Sequence, residues 1–170
     1  MHEIDIRNLT AKWFSESTPT NYKESSATFG EGTNGVITVN AIDDITDDKS
    51  IEVVVGSGAS KPLSIAFAND TLTITLATNA SSAADDTKNT AKLIAEAISK
   101  IDGFSATFSG TGVTAISLAV TKKSFTAGQL GTPCSTSGVA LISNGTYYVC
   151  IEPNATSKNA NWRTFTLLDY

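Results

Sequence analysis

The stretch from Leu63 to Leu76 decides the fold and reads Leu-Ser-Ile-Ala-Phe-Ala-Asn-Asp-Thr-Leu-Thr-Ile-Thr-Leu. Its second half alternates strictly, with Leu72, Ile74 and Leu76 on one side and threonines on the other. This period of two is typical of a half-buried β-strand. The Asn-Asp pair at 69–70 lies between two β-runs and is a hairpin signal. The stretch therefore predicts two antiparallel strands joined by a tight turn.

After this hairpin the hydrophobic period changes from two to 3.6 residues, which is the period of a helix. The residues that share one helical face are Thr87, Ala91, Ile94, Ala95, Ile98 and Ile101. Ser82 is the expected N-cap, with Asp85 three residues later as a weak capping box. Gly103 is expected to take the left-handed position after the helix. The pattern predicts one helix, about residues 83–101, packed on a face of a sheet.

Further β-runs lie on both sides of this helix. Apolar and β-branched residues predict strands at 36–42, 51–55, 104–108, 113–120, 139–142, 147–151 and 162–168. The expected fold class is α+β and mostly β. It comprises one or more antiparallel sheets of short strands, the single helix, and a small C-terminal β segment.

The sequence suggests three parts along the chain. Residues 1–34 are expected to form an N-terminal arm or edge strands, and residues 35–128 a β-rich α+β domain. Residues 129–170 are expected to form a C-terminal β segment, which begins with a connector rich in Gly, Pro, Ser and Thr at 128–138. Because a piece of about 40 residues buries little surface alone, we expect this segment to pack on the main domain or on copies of itself.

The charge balance excludes two classes of partner. The net charge is −5, and only 17% of the residues are charged, whereas 41% are hydrophobic. Binding to nucleic-acid phosphates needs a basic face, and docking on anionic membranes needs basic clusters. We therefore expect neither a nucleic-acid nor a membrane partner.

The first residues, Met-His-Glu-Ile-Asp-Ile, lack the basic and apolar regions of a secretory signal peptide. No apolar stretch approaches the roughly 20 residues that span a bilayer. We expect synthesis in a cytoplasm without export by the usual route.

The two cysteines, Cys134 and Cys150, fit two interpretations. Buried free thiols are preferred, since a free cysteine is commonly a small buried hydrophobe. A disulfide is the alternative. A zinc site is not expected, because tetrahedral sites need about four ligands and the single histidine is His2.

Catalytic residues are not expected. A nucleophilic serine or cysteine needs a nearby base, and His2 is the only histidine. The acidic run at 43–48 predicts a solvated turn rather than a Ca²⁺ site, since its spacing does not match an EF-hand loop. The run at 56–61 predicts a Gly-rich hairpin rather than a phosphate loop, because Pro62 and a strand follow it. We expect no catalytic residue, no cofactor and no metal.

Aromatic residues suggest where the chain makes contacts. The candidates for a capsid or subunit interface are Trp13, Phe14, Tyr147, Tyr148, Trp162 and Phe165. The Trp13-Phe14 pair either anchors the arm in a hydrophobic groove or packs on the chain's own core. The C-terminal aromatics form core or interface, with a sugar-stacking surface as the less favoured interpretation.

Two segments carry a resemblance to a known class of protein. From Asn34 the chain runs Asn-Gly-Val-Ile-Thr-Val-Asn-Ala-Ile-Asp-Asp, then through paired β-runs to Asn-Thr-Ala-Lys-Leu-Ile-Ala-Glu-Ala-Ile at 89–98, then through two more strands to Gly128. This order resembles a β–β–helix–β module of structural proteins of tailed phages. The motifs Gly-Thr-Pro at 131–133, Gly-Thr-Tyr-Tyr-Val-Cys-Ile at 145–151 and Asn-Trp-Arg-Thr-Phe at 161–165 resemble β-segments of head-fibre and capsid-decoration (cement) proteins.

The resemblance implies a non-enzymatic virion protein that decorates or cements the outer surface of a phage capsid, or forms a head fibre. Its implied partners are the major capsid protein and further copies of itself, as a homotrimer. The arm with Trp13 and Phe14 would hold the shell by adding a strand to an exposed edge. Two alternatives stay open: a tail or baseplate accessory subunit, and a carbohydrate-binding adhesin module.

Overall fold

The computed structural model describes residues 12–14, 18–133, 140–143, 146–150 and 162–165. The chain divides into two compact units. The central unit comprises residues 24–128, and the terminal unit comprises residues 1–23 together with residues 129–170.

The central unit contains seven strands and one helix. In chain order these are β2 (Ser26–Phe29), β3 (Ile37–Ala41), β4 (Ser50–Val55), β5 (Ser64–Ala68), β6 (Thr71–Leu76), α1 (Ala91–Ile98), β7 (Phe104–Phe108) and β8 (Val120–Ser124). Strands β2, β3 and β7 form an antiparallel sheet in the order β2-β3-β7. The other four form a mixed sheet in the order β5-β6-β4-β8. The predicted class, α+β and mostly β with one helix, is confirmed for the described residues.

The predicted hairpin is confirmed in detail. Strands β5 and β6 are antiparallel, with Ala68 opposite Thr71 at the closed end. Asn69 and Asp70 both have positive φ, 48° and 55°, as the favoured two-residue hairpin turn requires. The alternating residues of β6 also behave as expected, because Leu72, Ile74 and Leu76 are fully buried.

One hydrophobic core holds the central unit together. Both sheets and the helix contribute to it, with Ile37 and Val39 from β3, Ile51 from β4 and Ile94 and Ile98 from α1. The helix packs against β7 and β3. Burial of one such side chain contributes roughly 1.5–3 kcal/mol to the stability of the fold. The apolar faces of both sheets and of the helix therefore all contribute to the stability of the central unit.

The helix is shorter than predicted, which corrects the expected span of 83–101. It covers only Ala91–Ile98, and its N-cap is Thr90, whose side chain accepts a hydrogen bond from Leu93 N. Ser82 is not the N-cap, because its φ of 64° lies in the left-handed region and an N-cap residue is extended. Gly103 does adopt positive φ, 82°, but five residues after the helix ends.

Short polar side chains explain the late start of the helix. Asn79 Oδ1 accepts hydrogen bonds from Ser81 N and Ala83 N, at 2.9 and 3.1 Å. Asp85 Oδ1 accepts from Thr87 N at 3.1 Å. Such local bonds offer the backbone an alternative to the helix. Residues 79–89 therefore form successive turns.

The predicted strand at 113–120 is wrong, since the observed strand β8 begins at Val120. The preceding segment instead supplies carbonyl groups to the start of α1. Ala91 N donates to Thr114 O at 2.9 Å, and Lys92 N donates to Gly112 O at 3.0 Å. The first N–H groups of a helix lack intrahelical partners, and this segment satisfies two of them.

The Gly-rich stretch after β4 is not a hairpin, contrary to expectation. Strand β4 pairs with β6 in parallel. After β4 the chain crosses to the edge of the sheet and forms β5 there. It then turns back and forms β6 between β5 and β4. Thr78 closes this crossover. Its hydroxyl donates to Gly58 O at 2.6 Å and accepts from Lys61 N at 2.9 Å.

The terminal unit is a four-stranded sheet built from both ends of the chain. It contains β1 (Lys12–Phe14), β9 (Ala140–Ser143), β10 (Thr146–Cys150) and β11 (Trp162–Phe165), in the order β1-β9-β10-β11. Strand β1 is parallel to β9, and the other pairs are antiparallel. The sequence grouped residues 1–34 as one arm or set of edge strands, whereas here β1 belongs to the terminal unit and β2 to the central unit.

In the described ranges, no helix has the length and apolar character that a bilayer crossing needs.

Candidate interaction surfaces

Five of the six predicted interface residues share rows of the terminal sheet with one another. Its register aligns Phe14, Ile142, Tyr147 and Phe165 in one row. The next row contains Trp13, Leu141, Tyr148 and Thr164. Residues from both ends of the chain therefore meet in one sheet, which the sequence pattern did not reveal. The side chains of Trp13, Phe14, Tyr147 and Phe165 lie outside the described part of the structure, and Tyr148 is half-buried.

Trp162, the sixth predicted interface residue, lies in the interior of the terminal unit. It is only 6% exposed, and its indole Nε1 donates to Thr132 O at 2.7 Å. Its main-chain N donates to Asn21 Oδ1 at 2.6 Å. Because a buried Trp needs a partner for its N–H, these bonds indicate a core residue rather than part of an exposed interface.

Cys150 lies opposite Trp162 in the register and is 1% exposed. It is disulfide-bonded, so the preference for free thiols is wrong at this residue. The only other cysteine of the chain is Cys134, which lies outside the described residues. A disulfide that closes a loop restricts the unfolded chain and here adds to the stability of a small sheet.

The arm hypothesis meets a structural constraint. Lys12–Phe14 pairs in parallel with Ala140–Ile142 of the same chain. Among the described strands, β1 therefore has β9 as its partner on one side, and a foreign sheet would have to add along the other side.

The acidic run at 43–48 forms a closed turn. The Thr46 hydroxyl lies 2.6 Å from Asp44 Oδ1 and 2.8 Å from Asp48 Oδ1, and Lys49 Nζ pairs with Asp44 Oδ2. The hydrogen bond from Lys49, followed by those from Thr46, lowers the pKa of Asp44 well below its ordinary value. The same bond raises the pKa of Lys49. The Asp44 carboxylate thus stabilises the turn through its bonds to Thr46 and Lys49.

Within the described part of the chain, no three His, Cys, Asp or Glu side chains converge into a group that could hold a metal ion. The remaining carboxyl group with a displaced pKa is Asp85, where the pKa is lowered by hydrogen bonds from Thr87 and Lys88. Each displaced carboxyl pKa in the described residues therefore has a cause within a turn.

An apolar loop in the central unit was not expected from the sequence. The irregular segment 109–119 exposes two large apolar side chains, Leu118 at 75% and Val113 at 67%. Residues 114–120 also line an open cleft of about 290 Å³ together with Gly30 and Glu31. The sequence feature that could have indicated this loop is the imperfect alternation of residues 113–120. This stretch contains more apolar residues than one buried strand face needs.

The strand β5 forms a second exposed feature of the central unit. It is an edge strand of the mixed sheet. Four of its five residues are exposed, and Phe67 is 40% exposed. Its sequence, Ser-Ile-Ala-Phe-Ala, contains no charged residue.

Comparison of the chain with family models, with curated protein sequences and with solved structures found no significant match.

Proposed function

We propose that this protein is a non-enzymatic structural component of a tailed-phage virion that decorates or cements the outer surface of the capsid, or forms a head fibre. Its partners are the major capsid protein and other copies of the chain, and neither nucleic acid nor a membrane takes part. In this role the protein works through its surfaces, and no residue acts as a catalyst.

The observation that carries the proposal is the apolar loop at 109–119. Large apolar side chains that are two-thirds or more exposed are costly in water, at roughly 25 cal/mol for each Å² of apolar surface. Leu118 and Val113 come within six residues of one another in this loop. Exposed apolar patches mark contacts with other macromolecules. This supports a role in protein contact. The resemblance to phage structural proteins suggests that the contacted assembly is a phage capsid.

The composition supports the same proposal. Few charged side chains and a low net charge leave an outer surface formed largely by hydroxyl and amide groups. The sequence contains no basic run that would bind the packaged genome. Such a surface suits a protein whose task is to cover a shell.

Capsid binding can be measured with particles from a phage in which the reading frame for this chain is disrupted. Recombinant protein is added back, and the bound fraction is measured by sedimentation. We expect saturable binding at a fixed number of copies per particle. The double variant Val113→Ser/Leu118→Ser should bind at least about tenfold more weakly, which corresponds to about 1.4 kcal/mol.

The matched control is Ile42→Ser, which shortens another exposed apolar residue, 48% exposed, outside the loop. It should bind like the unmodified chain. A Trp13→Ala variant reports separately on the N-terminal strand. The proposal fails if the particles take up no protein, or if density maps of the parent virion place the chain on the tail.

A further inference from the structure

The central unit protects three of its four outer strand edges. On β7, Ala106 N donates to the Ser99 hydroxyl at 3.0 Å, which covers the edge from the end of α1. On β2, Ser26 and Thr126 exchange two backbone hydrogen bonds of 3.0 and 2.7 Å. Strand β8 contains Lys122 and Lys123. Charged residues and covering segments are the usual means of preventing edge-to-edge pairing.

Strand β5, the fourth edge, has none of these protections. Its residues are uncharged and include no proline. Because a two-residue turn closes the β5–β6 hairpin at Ala68 and Thr71, Ser64, Ala66 and Ala68 direct their backbone groups toward β6. The N–H and C=O groups of Ile65 and Phe67 therefore point outward. In the described part of the chain, no backbone hydrogen bond reaches this outer edge.

We propose that the outer edge of β5 pairs antiparallel with β5 of a second copy, across a two-fold axis at Ala66. In this register Ile65 of each copy lies opposite Phe67 of the other. These are the residues whose backbone groups point outward, so two hydrogen-bonded pairs form with four N–H to O=C bonds. Ala66 faces its own counterpart at the axis. The two mixed sheets become one continuous sheet.

The side chains of the pairing residues suit this contact. Ile65 and Phe67 lie opposite the buried residues Ile74 and Leu72 in the register, and so face the core side of the sheet. Phe67 contacts Phe104 edge-to-face at 4.9 Å between ring centroids, yet 40% of it is exposed. A second copy would place an isoleucine directly opposite this ring. Aromatic and β-branched cross-strand pairs are favourable, and the contact would continue the core.

Charges that flank β5 also favour a second copy as the partner. Lys61 precedes the strand, and Asp70 follows it in the turn; both are exposed. In an antiparallel pair the start of one strand lies beside the end of the other. Lys61 of each copy therefore comes close to Asp70 of its partner, and the arrangement is self-complementary, as a two-fold contact requires.

A two-fold contact differs from the three-fold contact that the phage resemblance implies. If the proposed function holds, β5 pairing would join neighbouring trimers on the capsid lattice and would explain how such a protein cements a shell. The pairing itself is a property of the free protein, so it can be tested without capsids.

The test uses the full chain and the variant Ala66→Lys, with molar mass measured by light scattering after size-exclusion chromatography. Ala66 is exposed and opposite Thr73, so lysine is compatible with the fold. It places two like charges against each other at the axis. We expect the molar mass of the unmodified protein to be twice that of the variant. The control Ala127→Lys changes another exposed alanine, which follows β8 at the opposite edge of the sheet, and should keep the larger mass.

A charge-exchange experiment identifies the register. Ala66→Glu alone should also have the halved mass, and an equimolar mixture of Ala66→Lys and Ala66→Glu should regain the full mass. The proposal is overturned if the unmodified protein and Ala66→Lys have the same mass, or if the mixture fails to reassemble. Circular dichroism of each variant confirms the fold. If the unmodified protein pairs through β5 but does not bind capsids, the proposed function fails and the β5 pairing stands.

Discussion

Asn89 shows how much a single side chain contributes to this fold. It is fully buried in the central unit. Its amide accepts from Ala77 N at 2.8 Å and donates to Ala77 O at 2.9 Å. It thereby acts as a strand partner for the residue just after β6. Its own carbonyl accepts from Ile116 N at 2.9 Å, so one residue connects the end of β6, the start of α1 and the irregular segment before β8.

We predict that Asn89→Ala lowers the free energy of unfolding by about 2–4 kcal/mol, since both backbone groups of Ala77 would stay buried without their partners. Urea unfolding followed by circular dichroism measures this change. The control is Asn79→Ala, which removes only local turn bonds from a half-buried amide and should cost less than about 1 kcal/mol. Equal losses in the two variants would show that Asn89 has no special role.

Trp162 is a second case at the scale of the residue. Its side chain is a large aromatic ring with a polar N–H, which suits an interface or a core equally well. Its hydrogen bonds to Thr132 and Asn21 show that Trp162 belongs to the core of the terminal unit. Both partners are distant in sequence, so no local pattern could reveal them.

At the scale of the element, the helix was predicted in type and in its buried face, but not in its length. Ala91, Ile94, Ala95 and Ile98 are buried as the 3.6-residue period requires. Thr87 and Ile101, which share the same period, lie outside the helix. The 3.6-residue period identifies the buried face, whereas the start of the helix depends on the backbone hydrogen bonds that the side chains of Asn79 and Asp85 accept and on the pairing of Asn89 with Ala77.

The two candidate N-caps can be separated by experiment. We predict that Thr90→Ala costs about 1 kcal/mol of stability, because the side chain accepts from Leu93 N at the start of α1. Ser82→Ala should change stability by only a few tenths of a kcal/mol, since Ser82 lies in a turn outside the helix. Thermal unfolding of both variants at one pH provides the comparison. A larger effect at Ser82 than at Thr90 would contradict the assigned helix start.

Most strand positions were predicted correctly, whereas strand pairing was predicted only where the two strands are neighbours in the sequence. The β5–β6 hairpin depends on turn chemistry between adjacent runs, so alternation and the Asn-Asp pair suffice. The β4–β6 pairing is parallel and passes over an intervening strand. Nothing in the Gly-rich stretch after β4 distinguishes a crossover from a hairpin.

At the scale of the whole molecule, the central unit contains its own hydrophobic core. Every residue of the buried cluster lies between Ala27 and Phe125. The seven strands and the helix of this unit all come from residues 24–128. The unit therefore has the burial and backbone pairing that an independent domain needs.

We predict that a fragment of residues 24–128 folds alone and unfolds in one cooperative transition. Its urea denaturation should give coincident curves by the core methyl signals of its NMR spectrum and by far-ultraviolet circular dichroism. A shorter fragment that begins at residue 35 lacks β2 and serves as the comparison. It should be less stable, since Ala27 and Phe29 belong to the core. An unfolded 24–128 fragment would show that the terminal segments are required.

The sequence by itself determined the local features of this protein: the alternating strands, the tight turn at 69–70, the buried face of one helix and the mostly β class. These depend on residues within a few positions of each other, whose period and turn chemistry are readable in order. Only the tertiary structure decided which strands pair, where the helix begins, that Trp162 is buried and that no described segment pairs with the outer edge of β5. Each of these depends on contacts between distant residues, and the free energy of such contacts exceeds the small local preferences that a sequence displays.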